Sequence, residues 1–316
     1  MNRSFDADRH LLDLAGMSRE RMELLLGRAD HFARGGAVPR ALDGVAVCNL
    51  FFEPSTRTRL SFQLAAQRLG AHVLGFDVSS SSASKGETDL DTLRTLEAMG
   101  VRGFVVRHRE DGAVRALAGR AGADTVLVNA GDGRSAHPTQ GLLDMLTLRQ
   151  AKGPDLARLK VLVVGDVRHS RVARTDLDGL RTLGVEDIRV CAPAELLPEP
   201  EVLAGCEVVP GLDDAIRGVD VVMLLRLQRE RMVEGLVRSL DGYHREYGLD
   251  ARRLALAAPG AVVMHPGPVN RGVEVTDEVA DGPHSLILRQ VANGVAVRIA
   301  VLEALLGGPQ APHGVA

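Results

Sequence analysis

Five consecutive hydrogen-bond donors, Ser55-Thr56-Arg57-Thr58-Arg59, stand between two apolar stretches of different period. The run before them, Val45–Phe52, is continuously apolar apart from Asn49 and predicts a buried strand. The run after them, Leu60–Leu69, has apolar residues at helical spacing and stops at Gly70. Three hydroxyls and two guanidinium groups therefore sit where a strand hands over to a helix, beside free backbone N–H groups and the positive end of the helix dipole. Taken singly, a Ser or Thr there is an ordinary cap and an Arg an ordinary solvated side chain. Five in a row are different, because cations repel a helix start unless an anion lies between them. The chemistry predicted is phosphate binding, with Glu53 a carboxylate at its margin.

Ligands of open α/β sheets lie beyond the carboxyl ends of the strands. Residues just past each predicted strand end include Ser81–Lys85, Arg107, His108 and His137-Pro138-Thr139-Gln140 in the first half of the chain. The second half adds Arg168, His169, Arg171, Arg226, Gln228, Arg231 and His265-Pro266-Gly267-Pro268. Cationic and polar groups recur at these ends although the net charge is −3, which points to a substrate, or substrates, with several negative charges. No nucleophile–base pair, carboxylate pair or metal-ligand spacing accompanies them. The chemistry expected is positioning plus stabilisation of a developing oxyanion, with Thr58, Arg107 and His137 as donors. Blander readings stand beside these: His137 as a helix-start residue, Lys85 as a surface lysine, Arg226 reaching solvent, Glu53 a surface acid before a proline. Gly165-Asp166 lacks the second and third glycines of a dinucleotide fingerprint, which argues against NAD.

The elements that must hold these residues alternate. A helix is predicted from Ser18, as N-cap, to Ala33, then strands at 45–52, 72–76, 103–107 and 125–129 with helices near 60–69, 88–99, 112–121 and 139–150. A second series opens with Lys160–Asp166 and continues with strands at 188–191, 219–225 and 261–264. The expected fold is α/β, two doubly wound parallel-sheet domains with the active site in the cleft between them. The first spans 1–150 and the second 151–285; the terminal helix, in 286–316, is expected to pack back on the first. The 316 residues suffice for two domains, and 45% apolar with 25% charged residues describes an ordinary soluble protein. Scattered basic residues and 3% aromatics argue against nucleic acid, and no apolar run approaches the roughly 20 residues that span a bilayer. Three cysteines without metal spacing suit reduced core thiols, and the expected location is cytoplasmic.

The motifs FFEPSTRTR (51–59), SKGET (84–88), HPTQ (137–140), HSRVARTD (169–176), RLQRERM (226–232) and HPGPVNRG (265–272) together resemble those of the aspartate carbamoyltransferase catalytic chains, in order and across essentially the whole chain. The first and third are shared with ornithine carbamoyltransferases. The lysine of SKGET, the RLQ triplet and HPGP in place of HCLP favour the aspartate type. The resemblance implies transfer of a carbamoyl group from carbamoyl phosphate to the amine of L-aspartate, in pyrimidine biosynthesis, with no cofactor and no metal. It assigns Ser55, Thr56, Arg57 and Thr58 to the phosphate, and Arg107, His137, Gln140, Gly267 and Pro268 to the carbamoyl end. Lys85, Arg171, Arg226 and Gln228 go to aspartate, and Glu53, with Arg171 and Arg231, to domain closure. Lys85 would reach the site of a neighbouring subunit in a homotrimer, and a serine among Ser81, Ser82 and Ser84 would touch phosphate. Regulatory chains or a dihydroorotase are further partners the family allows. The alternatives are another amino-acid carbamoyltransferase, ornithine above all, and a non-catalytic carbamoyltransferase-like scaffold.

Overall fold

Strand β1, Ala46–Phe51, lies between two parallel neighbours, β2 (His72–Asp77) and β3 (Val101–His108), and β3 pairs in turn with β4 (Val126–Asp132). These assignments come from a computed structural model that describes residues 9–77, 87–227 and 239–308. The order β2-β1-β3-β4 reverses direction between β1 and β3, so the helices divide between the two faces of the sheet. Burial on both faces explains the near-continuous apolar strands: Cys48, Leu50, Phe104, Val106 and Leu127 share one core cluster.

The helices of this part are α1 (Arg19–Ala33), α2 (Thr56–Arg68), α3 (Asp89–Ala98), α4 (Ala113–Ala118) and α5 (Pro138–Lys152). Ser18 caps α1 as its spacing predicts, accepting from the Arg21 N–H, and Thr88 does the same for α3. Pro138 opens α5, where its missing N–H costs nothing.

A second sheet follows, β5 (Lys160–Val164), β6 (Asp187–Cys191), β7 (Glu207–Val208), β8 (Val221–Leu224) and β9 (Val262–Met264), all parallel in the order β7-β6-β5-β8-β9. The remaining helices are α6 (Arg171–Thr182), α7 (Leu212–Ala215), α8 (Leu240–Tyr247), α9 (Ala251–Leu254), α10 (Asp277–Ala280) and the terminal α11 (Ile287–Leu306). The sequence pattern had not indicated α6. Its apolar stripe, Ala173, Leu177 and Leu180, is interrupted by Arg174, Asp176 and Asp178, and Asp176 is buried with the stripe. Edge strand β7 is two exposed residues long and has no period to read.

The chain divides into two compact units, one running up to Leu143 and resuming at Ala292, the other Asp144–Val291. Both exchanges fall inside helices, α5 and α11. In the first unit the later turns of α11 are tied down: Glu303 receives two 2.7 Å bonds from Arg28, and the Arg298 guanidinium lies 4.9 Å from the Phe62 ring centre.

Candidate functional site

At the carboxyl end of β1, Ser55 occupies the N-cap of α2 in extended conformation, but its hydroxyl makes no capping bond. No acidic residue stands in the first turn either. At the starts of α1, α3, α6 and α8 a Ser or Thr oxygen does take an amide N–H. The donors opening α2 thus lack the side-chain acceptor supplied there, and helix polarity favours an anion in that place. Thr56 and Arg57 are exposed, whereas Thr58 is buried at the turn. Ser61 stays out of the cradle, its hydroxyl donating back to the Arg57 and Thr58 carbonyls at 2.6 and 3.0 Å.

Arg107 is aimed by an irregularity in the sheet. The β3–β4 register shifts between Val106 and His108, where one residue of β3, Arg107, opposes two of β4, Ala130 and Gly131. Gly131, inside that bulge, has φ 125°, a backbone angle that side chains other than glycine's disfavour, and its N–H is held by Asn129 Oδ1 at 2.8 Å. The neighbouring Ala130 carbonyl accepts from Arg107 Nη1 at 3.0 Å. Glu53 takes Nη2 at 2.6 Å, with only 12% and 16% of the two side chains exposed. Glu53 is therefore bonded to an arginine of its own unit. The residue after Arg107, His108, is committed elsewhere: Nδ1 accepts from the Glu110 N–H, so Nε2 carries the proton and lies 3.1 Å from Asp89 Oδ2.

His137 and Gln140 are buried at the start of α5, where the His137 carbonyl takes the Gln140 and Gly141 amides at 2.8 and 3.2 Å. Asp132, also buried, ends β4 and accepts from the Gly112 and Ala113 backbone; burial first, then the nearby Asp111 charge, raise its pKa above the usual carboxylate value. Ser55–Thr58, Glu53, Arg107, His137 and Gln140 all belong to the first unit.

In the second unit Ser170 caps α6 through the Ala173 N–H at 3.1 Å, which places Arg171, buried, in the first turn. Asp166, fully buried beyond β5, receives both the backbone N–H and Nδ1 of His169. That fixes His169 as a local brace, while Arg168 bonds the Glu195 carbonyl. Arg226 stands two residues beyond β8, after the buried Leu225, and is partly exposed. In the loop after β9, the Gly267 N–H donates to His265 Nδ1 at 2.8 Å and the Gly267-Pro268 peptide is cis. Ser81, Ser82, Ser84, Lys85, Gln228 and Arg231 lie outside the described residues.

Sequence patterning gave no role to Glu274, a carboxylate between two valines, Val273 and Val275. It is buried and accepts from the Leu227 N–H, the Asn270 N–H and the Asn270 side chain. Nor did patterning show that Asp144 and Asp176 meet. Burial, then the Asp144 charge and its hydrogen bond, push the Asp176 carboxyl well above the ordinary range. Gln290 continues from Asp144 at 2.6 Å to the His265 N–H at 3.0 Å.

Among the described residues no group of His, Cys, Asp and Glu could hold a metal ion, and no helix is long and apolar enough to cross a membrane. All three cysteines are free; burial pushes the Cys48 and Cys191 thiols up to about 12.

Two parallel sheets, each ending in basic and hydroxyl side chains with buried anchors, define an α/β protein suited to anionic substrates. The family model described as "Aspartate/ornithine carbamoyltransferase, carbamoyl-P binding domain" matches residues 9–150, and its "Asp/Orn binding domain" matches 157–305. The chain is 68% identical over 304 residues to the aspartate carbamoyltransferase catalytic subunit of Stenotrophomonas maltophilia, covering 95% of this chain and 96% of that one. Among solved structures, aspartate transcarbamoylase from Trypanosoma cruzi with carbamoyl aspartate and phosphate is 30% identical, with TM-score 0.84 over 95% of this chain and 96% of that one. Ornithine carbamoyltransferase from Thermus thermophilus has TM-score 0.84 and 29% identity over 94% and 99%. The chain belongs to the aspartate/ornithine carbamoyltransferase family.

Proposed function

We propose that the chain transfers the carbamoyl group of carbamoyl phosphate to the amine of L-aspartate, giving N-carbamoyl-L-aspartate and phosphate for pyrimidine biosynthesis. The observation that carries the choice of acceptor is the 68% identity to an aspartate carbamoyltransferase catalytic subunit over 304 residues. The fold alone does not choose, since the aspartate and ornithine enzymes match it equally well.

In this reading the α2 cradle, Ser55, Thr56, Arg57 and Thr58, holds the phosphate. Arg107, His137 and Gln140, with Gly267 and Pro268, hold the carbamoyl end, while Arg171, Arg226, Gln228 and Lys85 hold the aspartate carboxylates. The amine lone pair attacks the carbamoyl carbon, and negative charge collects on its oxygen, where Thr58, Arg107 and His137 donate. Collapse breaks the bond from carbon to the phosphate oxygen, and the departing phosphate takes a proton from the amine. Because the leaving group is already good, no covalent enzyme intermediate is needed. Glu53 holds Arg107 within the first unit and, with Arg171 and Arg231, serves closure on substrates.

The enzyme works as a cytoplasmic homotrimer in which Lys85 serves a neighbouring subunit's site. The sequence resemblance supports this, and its test is mixing: inactive Lys85→Ala and Arg57→Ala trimers should regain activity when subunits exchange. For the activity itself, purified protein is given carbamoyl phosphate with L-aspartate or with L-ornithine, and ureido product and phosphate are measured. Aspartate is expected to exceed ornithine by at least about a hundredfold, as a site built for a carboxylate rejects an ammonium. Preference for ornithine, or no product with either, would refute the reading.

A further inference from the structure

We propose that Glu274 is a positioning residue for the carbamoyl transfer: its two carboxylate oxygens fix the Arg226–Leu227 segment beyond β8 and the His265–Asn270 loop to one another. The inference rests on the functional reading above, which gives Arg226 to aspartate and Gly267-Pro268 to the carbamoyl end.

The geometry is specific to a carboxylate. Oε1 accepts from the Leu227 backbone N–H at 2.8 Å and from Asn270 Nδ2 at 2.6 Å. Oε2 accepts from the Asn270 backbone N–H at 2.7 Å and lies 3.7 Å from His265 Nε2. The side chains of Glu274 and His265 are 2% and 0% exposed, so water supplies none of these bonds. Both oxygens therefore face a main-chain donor, and a main-chain N–H cannot be turned round. A glutamine has one acceptor; its NH₂ would point at the other N–H and leave a buried donor unmet.

What the carboxylate joins matters more than the bonds it makes. Leu227 directly follows Arg226, so its pinned amide sets where the guanidinium leaves the main chain. Asn270 lies in the same loop as His265, whose Nδ1 holds the Gly267 N–H at 2.8 Å. Displacement of either segment thus moves an aspartate contact relative to a carbamoyl contact, and reaction rates are sensitive to such shifts.

The test compares Glu274→Gln with Glu274→Asp, each measured on its folded fraction, with circular dichroism and thermal unfolding to define that fraction. Glu274→Gln is expected to raise KM for aspartate at least about tenfold, equivalent to about 1.4 kcal/mol. Glu274→Asp keeps two acceptors on a shorter stem and should lie between Gln and wild type. That order is the reverse of what packing demands, since Gln matches Glu in size and Asp leaves a gap. A space-filling Glu274 would lower the folded fraction and leave KM unchanged. An aspartate KM within twofold of wild type in folded Glu274→Gln, or an Asp variant worse than Gln, overturns the proposal. Should Glu274→Gln not yield folded protein, Glu274→Asp decides alone: KM raised more than twofold supports the role and an unchanged KM ends it. Wild-type protein that makes no carbamoyl aspartate would instead sink the functional reading itself.

Discussion

Replacing Arg107 separates catalysis from folding, because its guanidinium has anchors of two kinds. Nη1 bonds the Ala130 carbonyl, and Nη2 bonds Glu53 at 2.6 Å, with both charged side chains mostly withdrawn from water. Breaking a fully buried ion pair costs about 3–5 kcal/mol, and an exposed one is worth about 0–1. At 12% and 16% exposure the loss from Arg107→Ala should be about 2–3 kcal/mol of stability. In the double variant with Glu53→Gln, about 1–2 kcal/mol of that should return, since no carboxylate is left unpartnered. The catalytic loss is of another size: one oxyanion donor is worth roughly 3–4 kcal/mol, so kcat should fall about 10²–10³-fold in Arg107→Ala. Glu53→Gln/Arg107→Ala should recover stability without recovering kcat. Arg107→Lys should stay within about tenfold of the alanine variant, because one ammonium cannot serve both anchors and the carbamoyl oxygen. The measurements are initial rates at saturating substrates and denaturant unfolding of each variant. A folded Arg107→Ala enzyme with kcat within tenfold of wild type would refute the oxyanion assignment.

Ser55 and Ser170 make a matched pair of helix starts. Ser170→Ala should cost about 1 kcal/mol of stability, as a used cap does, while Ser55→Ala should cost only a few tenths and raise KM for carbamoyl phosphate; equal stability losses would contradict the idea that the Ser55 hydroxyl is kept for a ligand. Asp176 holds its proton in the folded protein above the ordinary carboxylate pKa of about 4, so the folded state binds more protons than the unfolded one in that window and loses stability as pH rises through it. Asp176→Asn, which keeps a donor toward Asp144, should gain on wild type in melting temperature as pH increases from about 4; a difference constant with pH would count against a protonated Asp176. Cys48 and Cys191 should stay unreactive toward a thiol reagent at pH 8 until the protein unfolds, and rapid labelling of either in the native state would contradict their buried, raised-pKa setting.

Much of the scaffold was legible because buried parallel strands carry their own signal. Ala46–Phe51 and Lys160–Val164 are mostly apolar runs with an acid two residues beyond each, Glu53 and Asp166, and β1, β3 and β5 emerged within two residues of the pattern. Ser18 declared its helix by capping chemistry, which is local. The donor-rich start of α2 was readable for the same reason: Ser55 to Arg59 are adjacent, and the strand-to-helix change around them is local. What was hidden depends on partners distant in sequence. Glu274 reads as an acid on a loop until Leu227, 47 positions away, is seen to donate to it. Asp144 and Asp176 sit on separate helices, and neither betrays the other by spacing. The Glu53–Arg107 pair joins the ends of adjacent strands, so pairing β1 with β3 had to be known first. α6 was obscured because buried Arg171 and Asp176 look, in a one-dimensional pattern, like a solvated face.

The exchange of units inside α5 and α11 bears on how the polypeptide is made. The lobe begun first at the ribosome lacks its closing piece, because Arg28 waits for Glu303 and Phe62 for Arg298. At translation speeds of about 5–20 residues per second, the intervening Asp144–Val291 segment takes roughly 7–30 s to emerge. Throughout that interval the surface destined for the last helix stays uncovered, so the portion started earliest is completed latest.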